Sequence, residues 1–132
     1  MTDYFERFKE IDHVKRRAEA ARQHEAHPDR CCVLVAPGEG APSIDKHKYI
    51  VPKDMTVGGL VHVLRKRMEI RPEEALFLMS GSTLPMASQK MGDLHYSNRE
   101  SDGFLYLRYT KESTFGYLEG SCFRVLKMLG IV

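Results

Sequence analysis

The run Cys31-Cys32-Val33-Leu34-Val35, followed closely by the breaker Pro37-Gly38, constrains this chain more than any other feature. An extended segment with five consecutive apolar residues has no polar side to offer water, so the run reads as a strand buried on both faces. At 132 residues the chain has room for one core and not for two of ordinary size. Whatever covers the two faces of this strand must come from the same domain.

The flanking segments supply candidates. Tyr4, Phe5 and Phe8 lie among charges with the spacing of a short amphipathic helix over 3–10. Asp12 is a helix cap for a second helix, with Val14, Ala18 and Ala21 expected inward and Lys15, Arg16, Glu19, Arg22 and Glu25 expected in water. Pro28 ends it. After the Pro- and Gly-rich loop 36–43, Lys48-Tyr49-Ile50-Val51 reads as a strand ended by Pro52, with Lys48 and Ile50 on one face and Tyr49 and Val51 on the other. Thr56 caps a longer helix carrying Val57, Leu60, Val61, Leu64 and Met68 on one stripe. Ala75–Met79 is a third strand, Ser80-Gly81-Ser82 is turn chemistry for a hairpin into Thr83-Leu84, residues 91–96 form a short helix, and Phe104–Tyr109 is the last strand. This order implies an α+β domain in which the long helix packs across a mixed sheet, a β-grasp with two additional N-terminal helices.

Composition narrows the function. Forty-two per cent hydrophobic and 29% charged residues suit a folded soluble protein, and the first ten residues hold no apolar run of signal-peptide length. Three cysteines, two of them adjacent, make no disulfide framework and point to a reducing, cytoplasmic setting. The six histidines are scattered without metal-ligand spacing, so neither a metal nor another cofactor is expected. Cys32 lies in a buried strand with no base assigned to it, and no nucleophile, acid and base form a set, so the chain reads as a non-enzyme. A net charge of +2 is too small to mark a nucleic-acid binder, although Lys46, Lys48, Lys53, Arg65, Lys66, Arg67 and Arg71 face only Asp45, Asp54 and Glu69 between residues 46 and 71 and their surroundings. Nucleic acid is a side activity at most.

Taken in order, Pro28-Asp29-Arg30, Asp45-Lys46-His47-Lys48-Tyr49-Ile50-Val51-Pro52, Met55-Thr56-Val57-Gly58, Leu64-Arg65-Lys66-Arg67, Arg71-Pro72-Glu73-Glu74-Ala75-Leu76-Phe77, Met91-Gly92-Asp93-Leu94 and Phe104-Leu105-Tyr106 closely resemble the autophagy ubiquitin-like modifiers, the family of the GABA-receptor-associated protein. The resemblance spans nearly all of residues 3–116. It implies a ubiquitin-like β-grasp in which 1–27 is a helical extension, 28–116 is the core with its C-terminal arm, and 117–132 is a removable propeptide.

In that family a cysteine protease trims the precursor after a glycine, and activating and conjugating enzymes pass the new carboxylate through thioesters to phosphatidylethanolamine. The resemblance places cleavage between Gly116 and Tyr117, after Phe115. Glycine has no side chain to obstruct passage to a catalytic thiol. The tail would align Leu118, Cys122, Val125, Leu126 and Leu129 if helical, but it is too short and charged to span a bilayer.

Family members also bind cargo receptors through short aromatic-x-x-aliphatic segments added to the sheet edge. The resemblance assigns Glu19, Gln23, Cys32, Lys48, Ile50 and Phe104 to the aromatic pocket. Tyr49, Val51, Pro52, Met55, Leu60, Val63, Leu64 and Arg67 fall to the aliphatic one, with Lys46, Arg65 and Lys66 as a basic rim. Gln23 and Cys32 stand where the family usually has an aliphatic residue and a proline, and Gly103 replaces a bulky residue, which is expected to loosen the approach to Phe104. The expected location is cytoplasmic, and autophagosomal membrane once lipidated. The alternative is an unconjugated β-grasp adaptor that keeps its tail and only binds acidic, aromatic-bearing peptides.

Overall fold

The computed structural model describes residues 3–111. Local chemistry starts each helix. In α1 (Tyr4–Lys9) Asp3 accepts from the Phe5 amide while Glu6 reaches back to the Asp3 amide, a reciprocal cap that leaves Phe5 and Phe8 pointing at the core. Asp12 caps α2 (His13–Ala26) by accepting from the Val14 amide, and Thr56 caps α3 (Val57–Met68) through the Gly59 amide. The last helix, α4, is Met91–Asn98.

Four strands, β1 (Arg30–Pro37), β2 (Lys48–Pro52), β3 (Phe77–Met79) and β4 (Leu105–Thr110), form one sheet in the order β2-β1-β4-β3. The central pair β1–β4 is parallel, and β2 and β3 flank it antiparallel. This is the mixed sheet expected from the element order.

The strand that looked buried on both faces is so. Cys31, Val33 and Val35 join one cluster with Leu60 and Leu64 of α3 and Met91 and Leu94 of α4, whereas Cys32, Leu34 and Ala36 join a second with Phe5, Phe8 and Ala20 of α1 and α2. The period of two in an extended chain divides β1 between the two layers. Aromatic edges lock α1 to the sheet, with Phe5 against Tyr106 at 5.0 Å and Phe8 against Phe104 at 5.2 Å between centroids. Full burial of each phenylalanine contributes about 1.5–3 kcal/mol, so two of them hold a six-residue helix that could not stand alone.

The structure departs from the expectations at several elements. The face of α2 turned to the sheet carries Arg16 and Ala20, not Val14, Ala18 and Ala21, and Val14 is 71% exposed. Arg16 is drawn inward because its Nε donates to Asp102 at 3.0 Å, while Nη1 donates to the Lys9 carbonyl at 3.1 Å and to that of Ile11. The Tyr106 hydroxyl also donates to Asp102, and the Phe104 amide reaches its other oxygen at 3.0 Å. The charged pair is tolerated here because Arg16 donates three hydrogen bonds and Asp102 accepts three. Strand β3 is shorter than the expected 75–79, since only Phe77, Leu78 and Met79 find partners on β4. The hairpin signal after it yields a single bridge between Ser80 and Thr83. Phe104 lies just ahead of β4.

Candidate functional site

Strand β2 is an edge of the sheet, and its inner side is taken by β1 in the register Leu34↔Lys48, Val33↔Tyr49, Cys32↔Ile50, Cys31↔Val51. Alternation sends Lys48 and Ile50 toward α2, where both are half-buried, and Tyr49 and Val51 toward α3, where both are buried. The edge therefore separates two surfaces of different character.

On the α2 side the structure brings Glu19, Cys32, Lys48, Ile50 and Phe104 to one face of β1 and β2, with Gln23 one turn beyond Glu19 on α2. Cys32 and Phe104 are core residues, 5% and 0% exposed, so they form a floor, while Glu19, Gln23, Lys48 and Ile50 are the half-buried residues above it. An ion pair from Lys48 to Glu19 spans α2 and β2, with the Lys48 ammonium 5.5 Å from the Phe8 ring centre. Burial pushes the Cys32 thiol up to about 11, Glu19 adds to the rise and Lys48 opposes it. At neutral pH the thiol is protonated, and Cys32 packs as a small apolar group.

On the α3 side Tyr49, Val51, Leu60 and Leu64 belong to the core, and Pro52, Met55 and Val63 are half-buried above them. Arg67 is exposed and grips Asp45 with two hydrogen bonds of 3.2 and 3.0 Å. Lys46 sits over the Tyr49 ring at 5.1 Å. The Tyr49 hydroxyl is buried without a hydrogen-bond partner among the described residues. An unanswered buried hydroxyl costs about 1–3 kcal/mol, so Tyr49→Phe is expected to leave stability unchanged or raise it slightly. Urea unfolding measures this, and a loss above about 1 kcal/mol would show that the hydroxyl has a partner in solution.

The basic rim is less uniform than its sequence. Lys46 and Lys66 are exposed, but the Arg65 guanidinium is turned to the carbonyls of Glu74 at 2.6 Å and Arg71 at 2.9 Å, where it pins the loop leading to β3. Arg65 thus lies apart from the rim assigned to it. Gly103 does not loosen the approach to Phe104. It adopts φ +90°, open chiefly to glycine, and α2 packs so closely that a Cβ there would stand 2.9 Å from that of Ala20. Phe115, Gly116 and the segment 117–132 lie outside the described residues. The Arg16–Asp102–Tyr106 network escaped sequence reasoning, because Arg16 and Asp102 are 86 positions apart and neither stands in an apolar pattern.

Among the described residues no group of histidine, cysteine and carboxylate side chains could hold a metal ion, and no helix is long and apolar enough to cross a membrane.

Comparison with known proteins agrees with this architecture. The family model described as "Autophagy protein Atg8 ubiquitin like" matches residues 15–116. The chain is similar to Autophagy-related protein 8B of Oryza sativa subsp. indica, 45% identical over 112 residues that cover 82% of this chain and 94% of the relative. It is 44% identical over 107 residues to Autophagy-related protein 8e of Arabidopsis thaliana, covering 80% and 88% of the two chains. The crystal structure of Trypanosoma brucei ATG8 superposes with a TM-score of 0.73 at 37% identity, covering 80% of this chain and 92% of that one. A two-faced sheet edge on a ubiquitin-like scaffold, matched over most of its length by these relatives, makes this chain a member of the Atg8 ubiquitin-like family of autophagy proteins.

Proposed function

We propose that this chain is a lipid-conjugated modifier, a substrate of enzymes and not one itself, and that within its family it is of the GABA-receptor-associated type. A processing cysteine protease hydrolyses the bond between Gly116 and Tyr117. Activating and conjugating enzymes then carry the Gly116 carboxylate as a thioester to the amine of phosphatidylethanolamine, which moves a cytoplasmic protein onto the autophagosomal membrane. There the β2 edge recruits cargo receptors.

The observation that carries the docking part is that the two sets of apolar residues lie on opposite faces of one sheet edge. In an extended peptide, residues three apart point to opposite faces. An aromatic-x-x-aliphatic segment added beside Lys48–Val51 would therefore send its aromatic residue toward α2 and its aliphatic residue toward α3. Main-chain hydrogen bonds would supply affinity and the two faces selectivity.

Gly116→Ala tests the conjugation. The variant is expected to keep its full mass in cells and to be lost from the membrane fraction, while its peptide affinity stays that of the parent. Membrane recovery equal to the parent's would end the lipid-attachment reading. If the unsubstituted protein itself retains 117–132 in cells, the unconjugated adaptor is the better account.

A further inference from the structure

A concavity on the flank of the domain, beyond the peptide edge, has a chemistry that the docking of an aromatic segment does not use. It measures about 660 Å³, within the range of small-molecule sites. Its walls carry Arg17 and His24 from α2, Arg30 from the start of β1, Lys53 from the turn after β2, and His95 and Arg99 from α4 and its C-terminal cap. Four different parts of the chain thus aim cationic groups at one space.

The acidic groups in the same wall are already engaged. Glu100 is paired with Lys9 at 2.8 Å, and Asp102 with Arg16 and Tyr106. Among the described residues no carboxylate forms an ion pair with Arg17, Arg30, Lys53 or Arg99. His95 gives its Nε2 hydrogen to the Gly103 carbonyl at 2.9 Å, and burial lowers its proton affinity, a shift that Arg99, Lys53 and His24 deepen against that hydrogen bond. The four permanent cations of this wall thus lack carboxylate partners of their own, while its two carboxylates are held by Lys9, Arg16 and Tyr106. A neighbouring depression of about 430 Å³ shares Lys53, His95 and Arg99 and adds Lys90, but Asp54 and Asp93 also line it, so the larger cavity carries the greater excess of positive charge.

We propose that this cavity is a binding site for a small soluble molecule bearing clustered phosphates. Several permanent cations converging on a concave space of this size match a compact polyanion, since each phosphate oxygen accepts charge-assisted hydrogen bonds from guanidinium or ammonium groups. A membrane would instead require these groups on a flat face. The site does not depend on trimming at Gly116, and it shares only Cys32, a floor residue, with the aromatic side of the peptide edge.

Calorimetric titration of the full chain with inorganic tripolyphosphate at low salt tests it. Saturable one-to-one binding is expected, and Lys53→Glu with Arg99→Glu weakens it by about tenfold or more through the loss of two charge-assisted contacts. Lys15→Glu with Arg22→Glu, exposed positions outside the cavity, changes net charge equally and is expected to weaken binding less than about threefold, as a long-range screened effect. Arg99→Gln alone, which removes a single positive charge at an exposed position, gives an intermediate loss and serves if the double reversal fails to fold. Equal losses in the two double variants would overturn the proposal in favour of bulk charge. Orthophosphate binding as tightly as tripolyphosphate would overturn the requirement for clustered phosphates. Capture only by vesicles carrying phosphorylated lipid headgroups, with no binding of the soluble probe, would overturn it in favour of a membrane surface.

Discussion

Asp102→Ala is expected to destabilise the domain by about 3–5 kcal/mol, because it strands a buried guanidinium without its counter-ion. Asp102 is 2% exposed and the side chain of Arg16 11%, so water cannot replace the lost carboxylate cheaply. The Phe104 amide and the Tyr106 hydroxyl lose their acceptor at the same time. Against a typical total of about 5–15 kcal/mol, this is a large share, and it falls on the contact joining the α1–α2 connection to the start of β4. Urea unfolding at neutral pH gives the number, and a loss below about 1 kcal/mol would refute the account.

The same carboxylate sets an acid limb to stability. Burial pushes the Asp102 carboxyl up, but the Tyr106 hydroxyl, the Phe104 amide and Arg16 together outweigh burial and hold it below its ordinary value. A group whose folded value is depressed stabilises the fold above its unfolded value, about 3.9, and loses that contribution as pH falls toward the lower folded one. Asp102→Asn is expected to flatten this limb. A double variant that replaces Arg16 and Asp102 with apolar residues of similar volume should recover much of the loss, since removing both charges leaves neither buried alone.

Lys48→Glu is expected to weaken an acidic aromatic-x-x-aliphatic peptide by about tenfold at low salt, with the difference shrinking as salt rises. The substitution puts a carboxylate beside Glu19, where Lys48 now forms an ion pair, and reverses the charge at the α2-side of the β2 edge. Combining it with Glu19→Lys restores a pair of opposite charges while exchanging their places. If that double variant regains peptide affinity, the pair acts by holding α2 against β2; if it does not, the charge of residue 48 itself faces the peptide. Unchanged affinity in the single variant would remove the basic edge from the docking mechanism.

Local order was legible in the residues wherever a short stretch carries its own instructions. The caps at Asp12 and Thr56, the stripe of α3 and the alternation along β2 all need only neighbours within a turn or two, and each formed as read. The two-sided burial of β1 was equally visible, because five apolar side chains in succession leave no other arrangement in water. The ordered blocks from Pro28 to Tyr106 were enough to indicate the family before any fold was seen.

Tertiary structure alone decided the features made by distant partners. Sequence periodicity put Val14 inside and Arg16 outside, yet an aspartate 86 positions away reversed that face of α2, since pairing a charge can outweigh the preference of a single valine for burial. Arg65 and Arg67 are near neighbours on α3, but only the folded chain sends one to the β3 loop and the other to Asp45. The convergence of Arg17, Arg30, Lys53 and Arg99 on one cavity is of the same kind. Covalent neighbours and water select helices and strands, whereas charges are placed by whatever the topology brings within a few ångströms of them.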